Sequence, residues 1–295
     1  MTLPPVLPVG TSIVTRLPVA GHPAGAVAVI VRSPPDPDHA YRVRFPDGTE
    51  ATLSRGGLTV RRHEKNALPE MERDFTPFVQ YRCVVGSRAF GLDTGASDTD
   101  LRGFYLPPAR DHWSLAGVPE QLEFGEEVYW EAGKFVLLAL KANPNVLEVL
   151  HSPLVQTVTP LAAELLDMRE AFLSRLVYQT YNGYVMGQFK RLEADLRQHG
   201  EVRWKHAMHL LRLLLSGVAV LERGEVRVHV GEHRDTLLAV KRGEVSWAEV
   251  ERWRLSLHAD FDRAYAQTTL PERPDYARVE AWLLRARRAA LDWEP

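Results

Sequence analysis

The chain has 295 residues, of which 45% are hydrophobic and 25% charged, and a formal net charge of −2. That length suits one large domain or two smaller ones, with ample apolar material for a core. Near-neutral charge does not by itself point to a nucleic-acid partner, although a local basic face is compatible with it. The single cysteine, Cys83, rules out a disulfide framework and a cysteine-based metal site and fits a reducing, cytoplasmic compartment. The opening MTLPPVLPVG has no basic segment followed by an apolar one, so no secretory signal is expected. No run of apolar residues reaches the ~18 that a membrane span needs.

Residues 1–64 read as a small all-β domain. SIVTRL, AVAVIVR, AYRVRF, EATLS and LTVRR are short β-branched runs, separated by the turn sequences GHPAG, SPPDPDH and PDG. Strands this short and this closely spaced suggest a small barrel. The charged segment 61–74 reads as a linker. Residues 75–155 then change character. VQYRCVV, TDLRGFYL and EEVYWE are strand candidates. Phe135, Leu138, Ala139 and Ala142 follow at helical spacing until Asn143-Pro144 stops the helix. Asn145 with Glu148 resembles the next helix start.

Residues 156–295 read as helical. Thr159-Pro160 is a cap with a first-turn proline, and Ser246 with Glu249 forms a capping box. Val177, Tyr181, Val185 and Phe189 make one apolar stripe, in which Gly183 and Gly187 suggest close helix packing. Trp204, Met208, Leu211, Leu215 and Val218 make another. The expected fold class is α+β: a small N-terminal β-barrel, an α/β core with a mixed sheet, and a C-terminal helical domain.

The chemistry concentrates in CVVGSRAFGLDTGASDTDLRGFY, residues 83–105. An apolar strand ending in Gly86-Ser87 exposes backbone N–H groups and a hydroxyl, which together cradle a phosphate. No Gly-Lys-Ser/Thr or Gly-x-Ser-x-Gly follows, so this is neither a Walker loop nor a nucleophile elbow. After a spacer of ten residues beyond Ser87 comes Asp98-Thr99-Asp100. On a strand the two aspartates share a face, and their repulsion is relieved by a cation. Hard oxygen ligands suit Mg²⁺, or Mn²⁺ in its place, completed by substrate phosphates. Taken alone, SDTD also suits a solvated Asx turn.

Gly-Ser, a spacer of ten residues and Asp-x-Asp resemble the DNA polymerase β nucleotidyltransferase superfamily. GSRAFGLDTGASDTDLRGFYLPP, KFVLLALKANPNVLEVL, KHAMHLLRLLLSG and RDTLLAVKRGE are similar to segments of its RNA-repair-pathway (RlaP-like) members, over roughly residues 75–290. The N-terminal domain lies outside this resemblance and looks like a Tudor- or SH3-like barrel. The resemblance implies transfer of a nucleoside monophosphate from an NTP to a hydroxyl, with an RNA end as acceptor. A protein or small-molecule acceptor and a non-catalytic nucleotide or RNA sensor are the alternatives.

The superfamily places a third carboxylate on the next strand. GEEVYWE offers Glu126, Glu127 and Glu131, and the resemblance favours Glu126, with strand phase keeping Glu127 open. Asp98, Asp100 and Glu126 are thus the candidate metal and catalytic set. Gly86, Ser87, Arg88, Lys205, His209 and Arg212 are the candidate nucleotide-binding set. Lys205, His209, Arg212 and Ser216 share one helix face, which is either a solvated polar stripe or a cationic face over the triphosphate. Arg88 and Arg102 either touch phosphate or, for Arg102, pair with an aspartate. Tyr81, Phe90, Tyr105, Tyr129 and Trp130 pack in the core or stack a base. The N-terminal domain would bind RNA or a protein partner.

Overall fold

The computed structural model describes residues 6–36, 39–60, 73–94, 97–200 and 202–293. Most of the expected linker, 61–72, lies outside the described residues. The chain divides into two compact units, residues 1–71 and 72–295.

In the first unit all five expected strands form: β1 (Ser12–Thr15), β2 (Val27–Arg32), β3 (Tyr41–Arg44), β4 (Glu50–Leu53) and β5 (Leu58–Val60). They pair antiparallel in the order β4-β3-β2-β1-β5. Alternate residues point inward, so Ile13, Ile30, Tyr41, Val43 and Leu58 build a dry core. The expected barrel closure is not seen. Among the described residues no ladder joins β4 to the three-residue β5, and the sheet stays open.

The second unit holds a mixed sheet in the order β10-β6-β7-β9-β8. Its strands are β6 (Val79–Val85), β7 (Asp100–Tyr105), β8 (Gln121–Phe124), β9 (Glu127–Glu131) and β10 (Val155–Val158). β7 runs parallel to β9, and the other neighbours are antiparallel. The short helices α1 (Gly86–Phe90) and α2 (Ala109–Trp113) follow β6 and β7. Helices α3 (Ala132–Leu140), α4 (Pro144–Leu150) and α5 (Pro160–Asp167) interleave with β10. Then come α6 (Leu176–His199), α7 (Trp204–Arg223), α8 (Arg234–Arg242), α9 (Trp247–Gln267) and α10 (Tyr276–Ala289). One continuous apolar cluster runs from Tyr81 to Ala290, so sheet and helices share a core. No helix among the described residues is long and apolar enough to cross a membrane.

Local chemistry sets the helix starts. Thr159 accepts from the Ala162 amide at 3.2 Å, ahead of Pro160, and the Ser246–Glu249 capping box forms in both directions. The start of α4 differs from expectation. Asn143, not Asn145, caps it, accepting from the Asn145 and Val146 amides with Pro144 in the first turn. Glu148 is thereby freed from any capping role and turned inward. Cys83 is packing, as expected: it is buried, its Sγ lies 3.6 Å from the Val149 carbonyl, and burial pushes the thiol up to about 11.

The glycines Gly183 and Gly187 do not mediate close packing. Both are exposed, and a Cβ at either meets nothing within 4 Å. The close approach is at Gly217 on α7, where a Cβ would sit 2.8 Å from Phe261 Cε2 and 3.1 Å from Tyr181 Cδ1. Gly217→Val is expected to cost about 3 kcal/mol by overpacking, a fall in Tm of roughly 6–12 °C for a chain of this size. Gly183→Ala is expected to stabilise by up to about 1 kcal/mol through helix propensity. Thermal unfolding of both variants checks this; equal effects at the two sites would refute the packing difference.

Candidate functional site

The site grows from the pairing of β6 with β7. Val85 lies opposite Asp100 and Cys83 opposite Arg102, so the end of one strand meets the start of the next. Gly86 adopts φ +68°, and a Cβ there would stand 2.7 Å from Asp100 Oδ2. Only glycine tolerates both the left-handed backbone and the carboxylate against it. Ser87 lies in the first turn of α1, half-buried, with a hydroxyl that makes no hydrogen bond among the described residues.

The two aspartates are placed differently. β7 begins at Asp100, so the pleat aligns Asp100 with Arg102 and Phe104, while Asp98 is exposed in the loop before the strand. Arg88 braces that loop, donating from Nη2 to the Ser97 carbonyl at 3.0 Å. Arg102 lies 3.6 Å from Asp100 and donates through Nη1 to the carbonyls of Leu101 and Glu126, at 2.8 and 2.7 Å. Of the two readings for Arg102, the structure displays the aspartate pairing.

Glu126 sits with Gly125 in the two-residue turn between β8 and β9, one register step from Asp100, and its side chain is exposed. Glu127 faces away. It opposes Leu101, accepts a hydrogen bond from the Tyr129 hydroxyl and lies 3.7 Å from Arg82, on the other side of the sheet from Asp100. Glu131 is buried and caps α3, accepting from the Gly133 amide at 2.8 Å and from Arg287 at 2.8 Å. Among the described residues no three His, Cys, Asp or Glu side chains are grouped so as to hold a metal ion.

A cavity of about 280 Å³ opens beside Asp100, lined by Gly86, Arg102, Trp130, Glu148 and His209. Glu148 was not expected here. It is 7% exposed and pairs at 2.7 Å with Arg212 Nη1, itself 2% exposed. The Arg212 guanidinium lies over the Phe90 ring of α1 at 3.6 Å. Its Nη2 is 3.5 Å from His209 Nδ1. With Arg212 donating to Nδ1, the imidazole proton belongs on Nε2. Burial, then the cations Arg212, His206 and Lys205, push His209 down to about 3, so the ring is neutral near pH 7. The polar stripe of α7 therefore descends from solvent at Lys205 to full burial at Arg212 and Ser216. It is neither wholly solvated nor an open cationic face.

The structure thus brings Gly86, Asp100 and His209 to one cavity, with Arg212 behind it. Ser87 adjoins it, while Arg88, Asp98, Glu126 and Lys205 are exposed. Of the aromatics, Tyr81, Tyr105 and Tyr129 are fully buried, while Phe90 and Trp130 reach the cavity. Glu148 stands in the NPNVLEVL segment. The signal that could have found it is a carboxylate alone among apolar neighbours, which needs a buried cation.

A Gly-Ser turn set against the aspartate that opens the neighbouring strand of a mixed sheet fits the polymerase β-like class. A family model described as RlaP, the RNA repair pathway DNA polymerase beta family, matches residues 60–285, and the chain belongs to that family. The uncharacterized protein YcgL of Bacillus subtilis (strain 168) is 27% identical over 168 residues, 54% of this chain and 62% of that protein.

Arg212→Met is expected to destabilise by about 3–5 kcal/mol, because it strands a buried carboxylate. Adding Glu148→Gln should return part of that loss in urea unfolding, and additive losses would refute the pairing. His209 folds with its pKa at about 3 against an unfolded value near 6.5, so between these pH values the unfolded chain binds a proton that the folded chain refuses. Stability present above pH 6.5 is therefore lost as pH falls toward 3. His151, pushed by burial to about 4, acts in the same direction. Relative to wild type, His209→Gln should gain stability as pH drops from 7 to 4; a pH-independent difference would sink the assignment.

Proposed function

We propose that the chain is a Mg²⁺-dependent nucleotidyltransferase that moves a nucleoside monophosphate from an NTP to a hydroxyl, with an RNA end as acceptor. The observation that supports this reading is that a Cβ at Gly86 would stand 2.7 Å from the Asp100 carboxylate, so the turn that would cradle phosphate lies close to a carboxylate that would bind metal. Membership of an RNA-repair polymerase β family supports it. The donor set fits Mg²⁺, which takes one or two carboxylates and fills its remaining positions with water and substrate phosphate. Asp98 and Asp100 would hold it, with Glu126 the nearest further carboxylate by register. Bound there, Mg²⁺ neutralises phosphate charge and lowers the pKa of the attacking hydroxyl.

The protein's own groups then have distinct tasks. The Gly86-Ser87 turn binds the β- and γ-phosphates through its amides and hydroxyl. Neutral His209, with its proton on Nε2, donates into the cavity and takes up no second proton near pH 7. Exposed Lys205 adds positive charge one helical turn away. Arg88 and Arg102 hold the Asp98–Asp100 segment rather than phosphate. The acceptor oxygen forms a bond to the α-phosphorus, the bond from that phosphorus to the β-phosphate oxygen breaks, and pyrophosphate leaves with the hydroxyl proton going to solvent. The N-terminal sheet, read as an SH3- or Tudor-like module in a cytoplasmic protein, would engage RNA or a protein partner.

The test is incubation with each α-labelled NTP, Mg²⁺ or Mn²⁺, and RNAs of defined 3′ ends. Label is expected on RNA and should fall at least 100-fold in Asp98→Ala/Asp100→Ala, on the scale of a lost electrostatic contact to the transition state. Label on protein would move the acceptor to a polypeptide. NTP binding without transfer would identify a sensor.

A further inference from the structure

The first cavity, of about 280 Å³, lies at the lower end of the roughly 300–1,000 Å³ usual for ligand pockets. A second cavity of about 540 Å³ is lined by Arg212, whose Nη1 holds Glu148, a residue lining the first cavity. The segment that follows α7 to form the second cavity is also tied to α1, through the Val230 amide on the Phe90 carbonyl at 3.0 Å.

Three features of the second cavity are those of a nucleotide site. At its edge stand Arg223 and Arg227, 42% and 54% exposed. Their carboxylate partners, Glu222 at 3.2 Å and Glu225 at 3.8–4.0 Å, are themselves exposed. Such pairs contribute little to stability, and a phosphate can displace them. Half-buried Trp253, with His233 tilted beside it at 6.4 Å, offers an aromatic surface on which a base can stack. Deeper in stand Arg212 and Ser216, each 2% exposed. Tyr181 lies beside Ser216, and their two hydroxyls interact, which leaves the Arg212 Nε–H as the donor without a partner among the described residues. A buried donor without a partner is costly, and the polar edge of a base would satisfy it. Glu222, Glu232 and Asp260 also line the cavity; Glu222 lies 3.2 Å from Arg223 and Asp260 2.7 Å from Arg263, while Glu232 lies 3.7 Å from His233 Nε2.

We propose that the cavity lined by Arg212, Ser216, Arg223, Arg227 and Trp253 binds one nucleoside monophosphate unit, phosphate toward the arginines and base against Trp253. The unit is either the nucleoside end of the donor NTP or the terminal nucleotide of the acceptor. Only that choice of source rests on the transferase reading; the binding itself does not.

The experiment is calorimetric titration of the full chain with AMP, CMP, GMP and UMP in the absence of divalent metal. At least one should bind. Arg223→Ala/Arg227→Ala, at exposed positions where folding is safe, should weaken it at least tenfold, and Trp253→Ala should do the same. Asp98→Asn/Asp100→Asn should leave it unchanged. No binding by any of the four, or binding that survives the arginine substitutions, overturns the proposal; so does binding lost with the aspartates. In the transfer assay the arginine variant should raise KM for the NTP if the donor sits here and for the RNA if the acceptor does. An unchanged KM for both overturns the subsite in turnover. If wild type shows no transfer at all while the monophosphate result holds, the transferase reading fails and the binding site stands.

Discussion

The ion pair between Arg212 and Glu148 is the constraint on which the site depends. It joins α4, which packs on the sheet, to α7 in the helical part, and it presses a guanidinium onto Phe90 of α1. Buried pairs add little net stability, because desolvation offsets attraction. What they impose is geometry, since either charge left alone in the core is expensive. Here one pair fixes the distance between sheet and helices and orients His209, with Glu148 lining one cavity and Arg212 another. The polar network around it is incomplete: Arg212 Nε lacks a hydrogen-bond partner among the described residues.

A second constraint acts at the strand ends. Antiparallel pairing brings Gly86 and Asp100 together across the spacer after Ser87, leaving no room for a Cβ at Gly86. The arginines nearest that junction are occupied in holding it. Arg88 anchors the loop before Asp98, and Arg102 ties Asp100 to the β8–β9 turn. Further exposed cations, Lys205 and Arg223, stand on α7.

Most elements were legible because their sequence signals are local. The five N-terminal strands alternate, β6 is rich in valine, β7 and β9 carry aromatic residues, and Thr159-Pro160 and Ser246–Glu249 carry their own caps. β8 and β10 were not legible: each has four residues, and β10 is exposed throughout, so no alternation marks it. The start of α4 was misplaced because Asn145–Glu148 mimics a capping box, whereas Asn143-Pro144 supplies the cap and Glu148 serves the core. The close-packing glycine was assigned to α6 from a repeat of small residues, but burial, which spacing does not encode, places it at Gly217.

By itself the sequence determined the fold class, the order of its parts and the Gly-Ser and Asp-x-Asp motifs, because periodicity, caps and motif spacing act between residues close along the chain. The tertiary structure alone decided that Glu127 faces away while Glu126 sits in a turn beside Asp100, since strand register depends on the partner strand. It alone decided that the polar stripe of α7 dives into the core and meets a glutamate 64 positions earlier. Charges far apart in sequence find each other only when packing removes the water between them, and no local pattern records that meeting.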